Sequence, residues 1–252
     1  MKNNFFFTKN FSNIYERPSQ LSKMSSQILY GEKFKILSKN NSWFKIKTSF
    51  DNYTGYIKNP DYINKFNPTH KIAKLKTKIF TKLKNKKFSQ TKKYLTFASK
   101  ILVINEDKKF AKYEKNKWVR KLDIKKINHL KKNYLEVLRL FLNTKYTWGG
   151  KSYAGIDCSA ILQLFFYYNN KFYPRDTKKQ IKYSRKNRKM KAFKKGDIIF
   201  WKGHVAVCIN SKKLIHAYGP KKKVLIMPIN NTIKKIEKMS DLVVKKISNI
   251  LN

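Results

Sequence analysis

A cysteine that follows an aspartate is the residue of this chain best placed for nucleophilic chemistry. Asp157 belongs to a preferred helix N-cap type, so the pair Asp157-Cys158 predicts a helix whose first turn contains the thiol. The free N–H groups and the positive end of the helix dipole favour an anion there, so we expect a depressed thiol pKa. The alternative for any single cysteine is a small buried hydrophobe, so the choice depends on its neighbours.

Two histidines supply the neighbours that a thiol nucleophile needs. His204 opens one predicted strand and His216 ends the next, with the turn Asn210-Ser211 between them. In an antiparallel pair they can lie at the same end of the sheet, so His204 could act as the base and His216 could orient its ring. Cys208 lies about 13 Å further along the strand of His204 at the usual rise per residue, and we assign it to the core.

The segment around these residues is predicted to be α+β, with helices first and an antiparallel sheet after them. Apolar residues at helical spacing predict helices over Asn133–Asn143 and Asp157–Tyr168. Four strand-like runs follow a lysine-rich stretch: Asp197–Trp201, His204–Ile209, Lys213–Tyr218 and Val224–Ile229. The helices should pack as a layer on this sheet.

The N-terminal half is predicted to form two small β-barrels. Short strands cut by turn signals occur in two sets, and the breaker-rich dipeptides Asn59-Pro60 and Asn67-Pro68 separate them. The predicted strands are Ser26–Tyr30, Lys33–Leu37, Trp43–Thr48 and Gly55–Lys58, then Tyr94–Ala98, Lys100–Ile104, Phe110–Tyr113 and Lys117–Lys121. We therefore expect domains at residues 1–66, 67–127 and 128–252.

The composition indicates a folded but very basic protein. The 252 residues include 59 lysines and arginines against 14 acids, a net charge of +45, and 41% hydrophobic residues, too many for a disordered polycation. The bases are nearly all lysines, spread over all three segments among residues with A/T-rich codons. We interpret them as solvated surface rather than a nucleic-acid site, while polyanion binding stays open as the alternative.

The number of cysteines and the length of the hydrophobic runs indicate which cofactors and which cellular location to expect. Two cysteines fifty positions apart are neither a disulfide framework nor a metal pair, so we expect neither a metal nor another cofactor. The N-terminal apolar run is only three phenylalanines, which is short for a signal peptide, and no stretch is long enough for a membrane span. A cytoplasmic monomer is the expectation.

The motifs between Tyr146 and Gly219 resemble the NlpC-type cysteine peptidases, whose papain-like domain cleaves bacterial cell-wall peptides. The matching elements are Tyr146-x-Trp148-Gly149-Gly150, Gly155-Ile156-Asp157-Cys158-Ser159, Tyr173-Pro174-Arg175-Asp176-Thr177 with Gln180, Gly196–Trp201, Gly203-His204-Val205-Ala206-Val207 and Leu214-Ile215-His216-Ala217. The departures are Ala160-Ile161-Leu162 for the usual Gly-Leu-Val, and Tyr173 and Thr177 for the usual Leu and Ser. The N-terminal part is similar to the paired bacterial SH3-like barrels of one branch, the γ-D-glutamyl-L-diamino acid endopeptidases.

The resemblance implies a role for each catalytic candidate. Cys158 is the implied nucleophile, His204 the general base and then acid, and His216 the residue that fixes the imidazole tautomer. Tyr146 would place its hydroxyl near the developing oxyanion, beside the backbone N–H of Cys158. Neither departure from the family pattern removes one of these groups.

The same branch implies a cleft closed at one end, which accepts only peptides with a free N-terminal L-Ala amine. The candidate substrate-binding residues are Asp176, Ser159, Thr177, Tyr53 and Glu16, with Tyr56 as an alternative to Tyr53. Asp176 could supply a carboxylate to the ammonium, and Ser159 could accept one of its hydrogen bonds. The alternative for Asp176 is the N-cap of a helix over Thr177–Tyr183.

The sequence therefore predicts a cysteine peptidase that hydrolyses the γ-D-glutamyl–diamino acid bond of peptidoglycan stem peptides. The expected partners are peptidoglycan-derived peptides, with no nucleic acid among them. Three alternatives stay open: a wall-lytic endopeptidase on intact murein, a relative that attacks other acyl bonds, and an inactive basic adaptor for cell-wall polymer or nucleic acid. The intact Cys158, His204 and His216 argue against the adaptor.

Overall fold

Seven short strands form the first β unit. The computed structural model describes residues 4–184 and 192–250. The strands are β1 (Asn4–Phe7), β2 (Phe11–Tyr15), β3 (Met24–Leu29), β4 (Lys33–Asn40), β5 (Trp43–Thr48), β6 (Thr54–Lys58) and β7 (Tyr62–Ile63). They form one antiparallel sheet in the order β3-β2-β6-β5-β4-β1-β7. Apolar residues from β1 to β6 share one core, so the sheet wraps around it.

Eight further strands form the second β unit. They are β8 (His70–Ile72), β9 (Lys76–Lys82), β10 (Phe88–Thr96), β11 (Lys100–Ile101), β12 (Asn105–Glu106), β13 (Phe110–Glu114), β14 (Lys117–Arg120) and β15 (Ile124–Lys126). Five of them pair as β10-β9-β14-β13-β12 and three as β11-β8-β15. Tyr30 of the first unit is buried in the core of the second, so the two units pack together.

The third unit is the α+β segment that contains the catalytic candidates. Its elements are α1 (Tyr134–Leu140), β16 (Lys151–Ser152), β17 (Gly155–Ile156), α2 (Cys158–Tyr168), α3 (Thr177–Tyr183), β18 (Asp197–Trp201), β19 (His204–Cys208), β20 (Lys213–Tyr218), β21 (Lys223–Pro228), α4 (Ile229–Ser240) and β22 (Lys246–Asn249). The antiparallel sheet has the order β21-β20-β19-β18-β22. The predicted order of helices followed by antiparallel strands is confirmed.

Alternation along the strands gives this sheet two apolar faces. Val205, Val207 and Ile215 pack with α1 and α2, whereas Ala206 and Cys208 pack with α4 on the other face. The sheet therefore lies between two helical layers. Helix α4 and strand β22 were not expected from the sequence, and Cys208 is buried in the core as predicted.

Buried polar contacts attach the first unit to the third. Lys151 Nζ lies 3.0 Å from a Glu32 carboxylate oxygen, with the two side chains 2% and 1% exposed. Gln163 Nε2 donates to Asp51 Oδ2 at 2.8 Å. Because a buried charge is costly without its partner, these pairs hold the units in one orientation.

The described residues give no sign of a membrane helix or of a metal centre. In residues 4–184 and 192–250 no helix is long and apolar enough to cross a membrane. Within the same ranges, no group of three or more His, Cys, Asp or Glu side chains could hold a metal ion.

Candidate active site

Helix α2 begins at the candidate nucleophile, as the sequence predicts. The backbone of Asp157 is extended, and its carboxylate accepts a hydrogen bond from the backbone N–H of Ala160 at 2.8 Å. Asp157 is therefore the N-cap residue, and Cys158 occupies the first helical position. The Cys158 residue is 5% exposed, at the buried end of the helix.

A buried arginine fixes this helix start to the rest of the molecule. Arg175 Nη2 donates to Asp157 Oδ2 at 2.7 Å and Nη1 donates to Asp157 Oδ1 at 2.9 Å, a bidentate pair. Arg175 Nε donates to the hydroxyl of Ser26, in β3 of the first unit, at 3.0 Å. The arginine is 1% exposed and has five donors to satisfy, so its contacts determine where Asp157 lies.

The thiol of Cys158 is surrounded by strand β19 and the first turn of α3. Its Sγ donates a weak hydrogen bond to the backbone oxygen of Gly203 at 4.0 Å, and hydrogen bonding from the backbone of Val205 and the side chain of Thr177 lowers the pKa of the thiol. Burial and the charge of Asp157 outweigh these bonds and raise the pKa of the thiol to about 12. The prediction of a depressed pKa is therefore wrong for this environment, because the helix terminus is buried rather than open to solvent.

The two predicted histidines form a row with a third partner. His204 Nε2 lies 2.9 Å from His216 Nδ1, and His216 Nε2 lies 3.3 Å from the Met227 sulfur. With Nε2 engaged, Nδ1 is the ring nitrogen through which His204 can take the thiol proton. Gly203 and Val205, which contact the thiol, flank His204 in the chain. Cys158, His204 and His216 can therefore serve as nucleophile, base and orienting residue, in that order.

Burial also affects the protonation of both rings. It lowers the pKa of His204 to about 4. The pKa of His216 is well below its ordinary value because the ring is buried and His204 is close to it. Near neutral pH the site therefore holds two neutral imidazoles and a neutral thiol, and the nucleophile forms by proton transfer to His204 when the substrate is bound.

Tyr146 lies beside the nucleophile, where the resemblance expects it. Burial, and then the charge of Cys158, raise the pKa of the Tyr146 phenol, so the phenol stays protonated and can donate. The backbone of Tyr146 is held by a 2.8 Å hydrogen bond to the oxygen of Lys222, and Gly219 lies against its ring. Tyr146 is therefore close enough to Cys158 for the two groups to interact electrostatically, and its role as an oxyanion donor stays a prediction.

Asp176 and Tyr53 come together from different units. Asp176 is the N-cap residue of α3, as the alternative predicts, but its side chain makes no cap hydrogen bond within the described ranges, so capping does not engage the carboxylate. Burial raises the pKa of its carboxyl group, while Arg175 and Lys179 act in the opposite direction. Burial, and then the charge of Asp176, raise the pKa of Tyr53 to about 12. The Tyr53 hydroxyl donates to the backbone oxygen of Ser25 at 3.2 Å.

The remaining substrate-binding candidates lie in three different settings. Ser159 donates to Asp157 at 3.0 Å and accepts from Arg175 at 2.9 Å, so only one lone pair of its hydroxyl is left. Thr177 contacts the thiol itself. Glu16 is exposed on the hairpin between β2 and β3, and Tyr56 pairs with Tyr15 inside the first sheet, a position that does not favour it over Tyr53.

Comparison with known proteins assigns this constellation to a family. The model of the NlpC/P60 family matches residues 143–242, which include Tyr146, Cys158, His204 and His216. The C-terminal unit is an NlpC/P60 domain. The model named for the bacterial dipeptidyl-peptidase SH3 domain matches residues 14–61 of the first β unit. The chain thus combines an NlpC/P60 peptidase domain with an N-terminal SH3 domain.

Individual relatives match different shares of the chain. The chain is 25% identical over 232 residues to the dipeptidyl-peptidase 6 of Lysinibacillus sphaericus, covering 82% of this chain and 84% of that protein. A second relative, named "Probable endopeptidase NlpC homolog", of Haemophilus influenzae, is 38% identical over 82 residues, which are 31% of this chain and 43% of that protein. The crystal structure of an NlpC/P60 family protein from Bacillus cereus superposes with a TM-score of 0.81, covering 99% of this chain and 100% of that one, at 19% identity. That structure shows a shared fold.

Two residues of the NlpC/P60 site were not assigned a role from the sequence. Arg175 carries a sequence signal, because an arginine in a chain whose bases are nearly all lysines marks a site for bidentate contacts. Met227 carries none, because it belongs to an ordinary apolar strand. Its relation to His216 arises only from the pairing of β20 with β21.

The neutral pair at the NlpC/P60 site predicts how Cys158 reacts without substrate. A thiol pKa raised to about 12 keeps the thiolate fraction small at neutral pH, and a His204 pKa lowered to about 4 leaves no imidazolium to stabilise it. We expect the rate of alkylation by iodoacetamide to rise about tenfold per pH unit between about pH 6 and about pH 8. Mass spectrometry of the Cys208→Ala variant measures the reaction at Cys158 alone. A rate that does not change over this range would show a preformed thiolate–imidazolium pair instead.

Proposed function

We propose that this protein is a cysteine peptidase that hydrolyses the γ-D-glutamyl–diamino acid amide of short peptidoglycan stem peptides whose N-terminal L-Ala amine is free. The observation that carries the proposal is the position of Asp176. Its partly buried carboxylate lies beside the Tyr53 phenol of the first β unit and close to the helix that bears Cys158. An ammonium group bound there would supply the opposite charge that a desolvated carboxylate lacks.

The catalytic row supports an acyl-enzyme route. Cys158 Sγ attacks the carbonyl carbon of the γ-D-glutamyl residue while its proton passes to Nδ1 of His204. The oxyanion then accepts hydrogen bonds from the backbone N–H of Cys158 and the hydroxyl of Tyr146. The C–N bond breaks as His204 returns the proton to the leaving amine, which departs as the diamino acid. His204 then takes a proton from water, which attacks the thioester carbon. The C–S bond breaks, the proton returns to Sγ of Cys158, and L-Ala-D-Glu leaves with a free γ-carboxylate.

The docking of the first β unit supports a substrate of limited length. Ser26 binds Arg175, and Tyr53 is close enough to Asp176 for the carboxylate charge to raise the pKa of its phenol, so residues of this unit bound the amine side of the proposed cleft. A murein strand attached through the L-Ala amine would have to continue through this unit. The similarity to a protein named dipeptidyl-peptidase 6 and to the bacterial dipeptidyl-peptidase SH3 domain supports a peptide substrate from which a dipeptide is released.

The test measures product release from three kinds of substrate. We expect L-Ala-γ-D-Glu-meso-diaminopimelate to release the diamino acid, intact murein sacculi to release nothing soluble, and a panel of other acyl amides and esters to stay unreacted. Chromatography with mass detection identifies the products. Solubilisation of sacculi would favour a wall-lytic enzyme. Reaction with the panel alone would favour a different acyl-transfer activity, and salt-sensitive polymer binding with no hydrolysis would favour an adaptor.

A further inference from the structure

The partner of His216 on strand β21 is a thioether, which limits how the histidine can be protonated. His216 pairs with Leu225 across the strands, so Met227 is its diagonal neighbour on the same face of the sheet. The Met227 sulfur lies 3.3 Å from Nε2 of His216. A thioether has no proton to give, so in this contact the proton must be on Nε2 of His216.

Water cannot reach His216 to replace the Met227 sulfur as the acceptor of its N–H. The His216 side chain is 0% exposed. Its ring is stacked on Tyr218 with centroids 4.7 Å apart and planes 13° apart, which holds the ring in one plane. A buried N–H without an acceptor is costly, so the neighbour at Nε2 affects which tautomer is favoured.

The tautomer of His216 determines that of His204. When Nε2 of a neutral His216 bears the proton, Nδ1 presents a lone pair to His204 across the 2.9 Å contact. His204 Nε2 must then be the donor, and Nδ1 of the neutral His204 ring is left unprotonated. A base that takes the proton of Cys158 needs this lone pair. The opposite tautomer of His216 would leave a proton on Nδ1 of His204 and block the transfer.

We propose that Met227 is a positioning residue of the active site, which keeps the proton on Nε2 of His216 and thereby leaves Nδ1 of His204 free to accept the proton of Cys158. The inference rests on the proposed function only in its kinetic test, which uses the proposed substrate. The protonation pattern that it specifies belongs to the resting protein.

The first measurement is the ¹⁵N spectrum of the full chain labelled at its four histidines, with His216→Gln used to assign the signals. We expect protonated Nε2 and unprotonated Nδ1 for both His204 and His216. In Met227→Leu we expect exchange-averaged or mixed tautomer signals for both rings, and in Met227→Gln, whose amide oxygen can accept, the original pattern. A proton on Nδ1 of His216 in the unmodified protein, or an unchanged spectrum in Met227→Leu, would overturn the inference.

The second measurement is the kinetics of the same variants on L-Ala-γ-D-Glu-meso-diaminopimelate. Met227→Leu should lower kcat about 5- to 10-fold with little change in KM, as the loss of one neutral hydrogen bond implies, and Met227→Gln should restore kcat to within about twofold. Met239→Leu, at an exposed methionine of α4, is the matched control and should be unchanged. Equal kcat values in all variants would contradict the positioning role. If the unmodified protein shows the expected spectrum but hydrolyses no stem peptide, the proposed function fails and the inference about Met227 stands.

Discussion

Replacing Cys158 with alanine is expected to lower kcat on L-Ala-γ-D-Glu-meso-diaminopimelate by on the order of 10⁴-fold or more. The reason is that no acyl-enzyme can form without Sγ, while the oxyanion donors and the substrate-binding groups are kept. Release of diaminopimelate, followed by chromatography under single-turnover conditions, measures the loss. KM should change little, because the thiol contributes to the reaction rather than to ground-state binding.

The chain provides its own control for this loss. Cys208 is also a buried cysteine, on the face of the sheet that packs against α4, and Cys208→Ala should keep kcat within about threefold. Since the thiol and its base act as a unit, the double variant Cys158→Ala with His204→Ala should be no slower than either single variant. Losses that multiply in the double variant, or full turnover in Cys158→Ala, would place the nucleophile elsewhere.

Acetylating the L-Ala amine of the substrate is expected to lower kcat/KM by about 100-fold. A charged hydrogen bond contributes roughly 1.5–3 kcal/mol, which corresponds to about a 10- to 150-fold difference, and the acetylated substrate leaves the Asp176 carboxylate without a cation. Because the pKa of Asp176 is raised, the carboxylate protonates at a higher pH than an ordinary aspartate. The preference for the free amine should therefore decline as the pH falls through that raised pKa.

A double-mutant cycle attributes this preference to Asp176. Asp176→Asn should reproduce most of the loss on the free peptide, and acetylation should then cost that variant less than about fivefold. Asp241→Asn, at an exposed aspartate after α4, is the matched control and should behave as the unmodified protein. Equal cleavage of the free and acetylated peptides by the unmodified protein would exclude amine recognition and favour an open cleft.

Local patterns were sufficient to predict the elements that carry the catalytic residues. The N-cap at Asp157 involves residues at most three positions apart, and the hydrogen bond to Ala160 follows from that spacing. Apolar periodicity predicted α1, α2 and the strands β18 to β21 to within a few residues, because each element buries one continuous face. Strands β2 and β9 were missed because asparagine and lysine interrupt their apolar patterns. Helix α4 was missed although Ile229, Ile233 and Ile236 lie at helical spacing, because the sequence prediction assigns its first residue to the preceding strand.

The electrostatics of the site could not be predicted from the same patterns. The thiol pKa depends on how deeply β19 and α3 enclose Cys158, and that enclosure involves contacts between residues far apart in the sequence. Tyr53 approaches Asp176 only because the first β unit docks on the third. A resemblance can suggest that such residues meet, but burial and the distances to neighbouring charges determine their chemistry.

The contact between Arg175 and Ser26 also affects when the site is completed. The two residues are 149 positions apart, and all strands of the first β unit lie between Asn4 and Ile63. During synthesis N-terminal domains generally fold first, so this unit can be complete before Arg175 is made. Contacts between distant residues form late because a long loop must close. The first β unit then acts as a template for the folding of this site, and a nascent chain gains its full set of contacts around Asp157 only after Arg175 has been made.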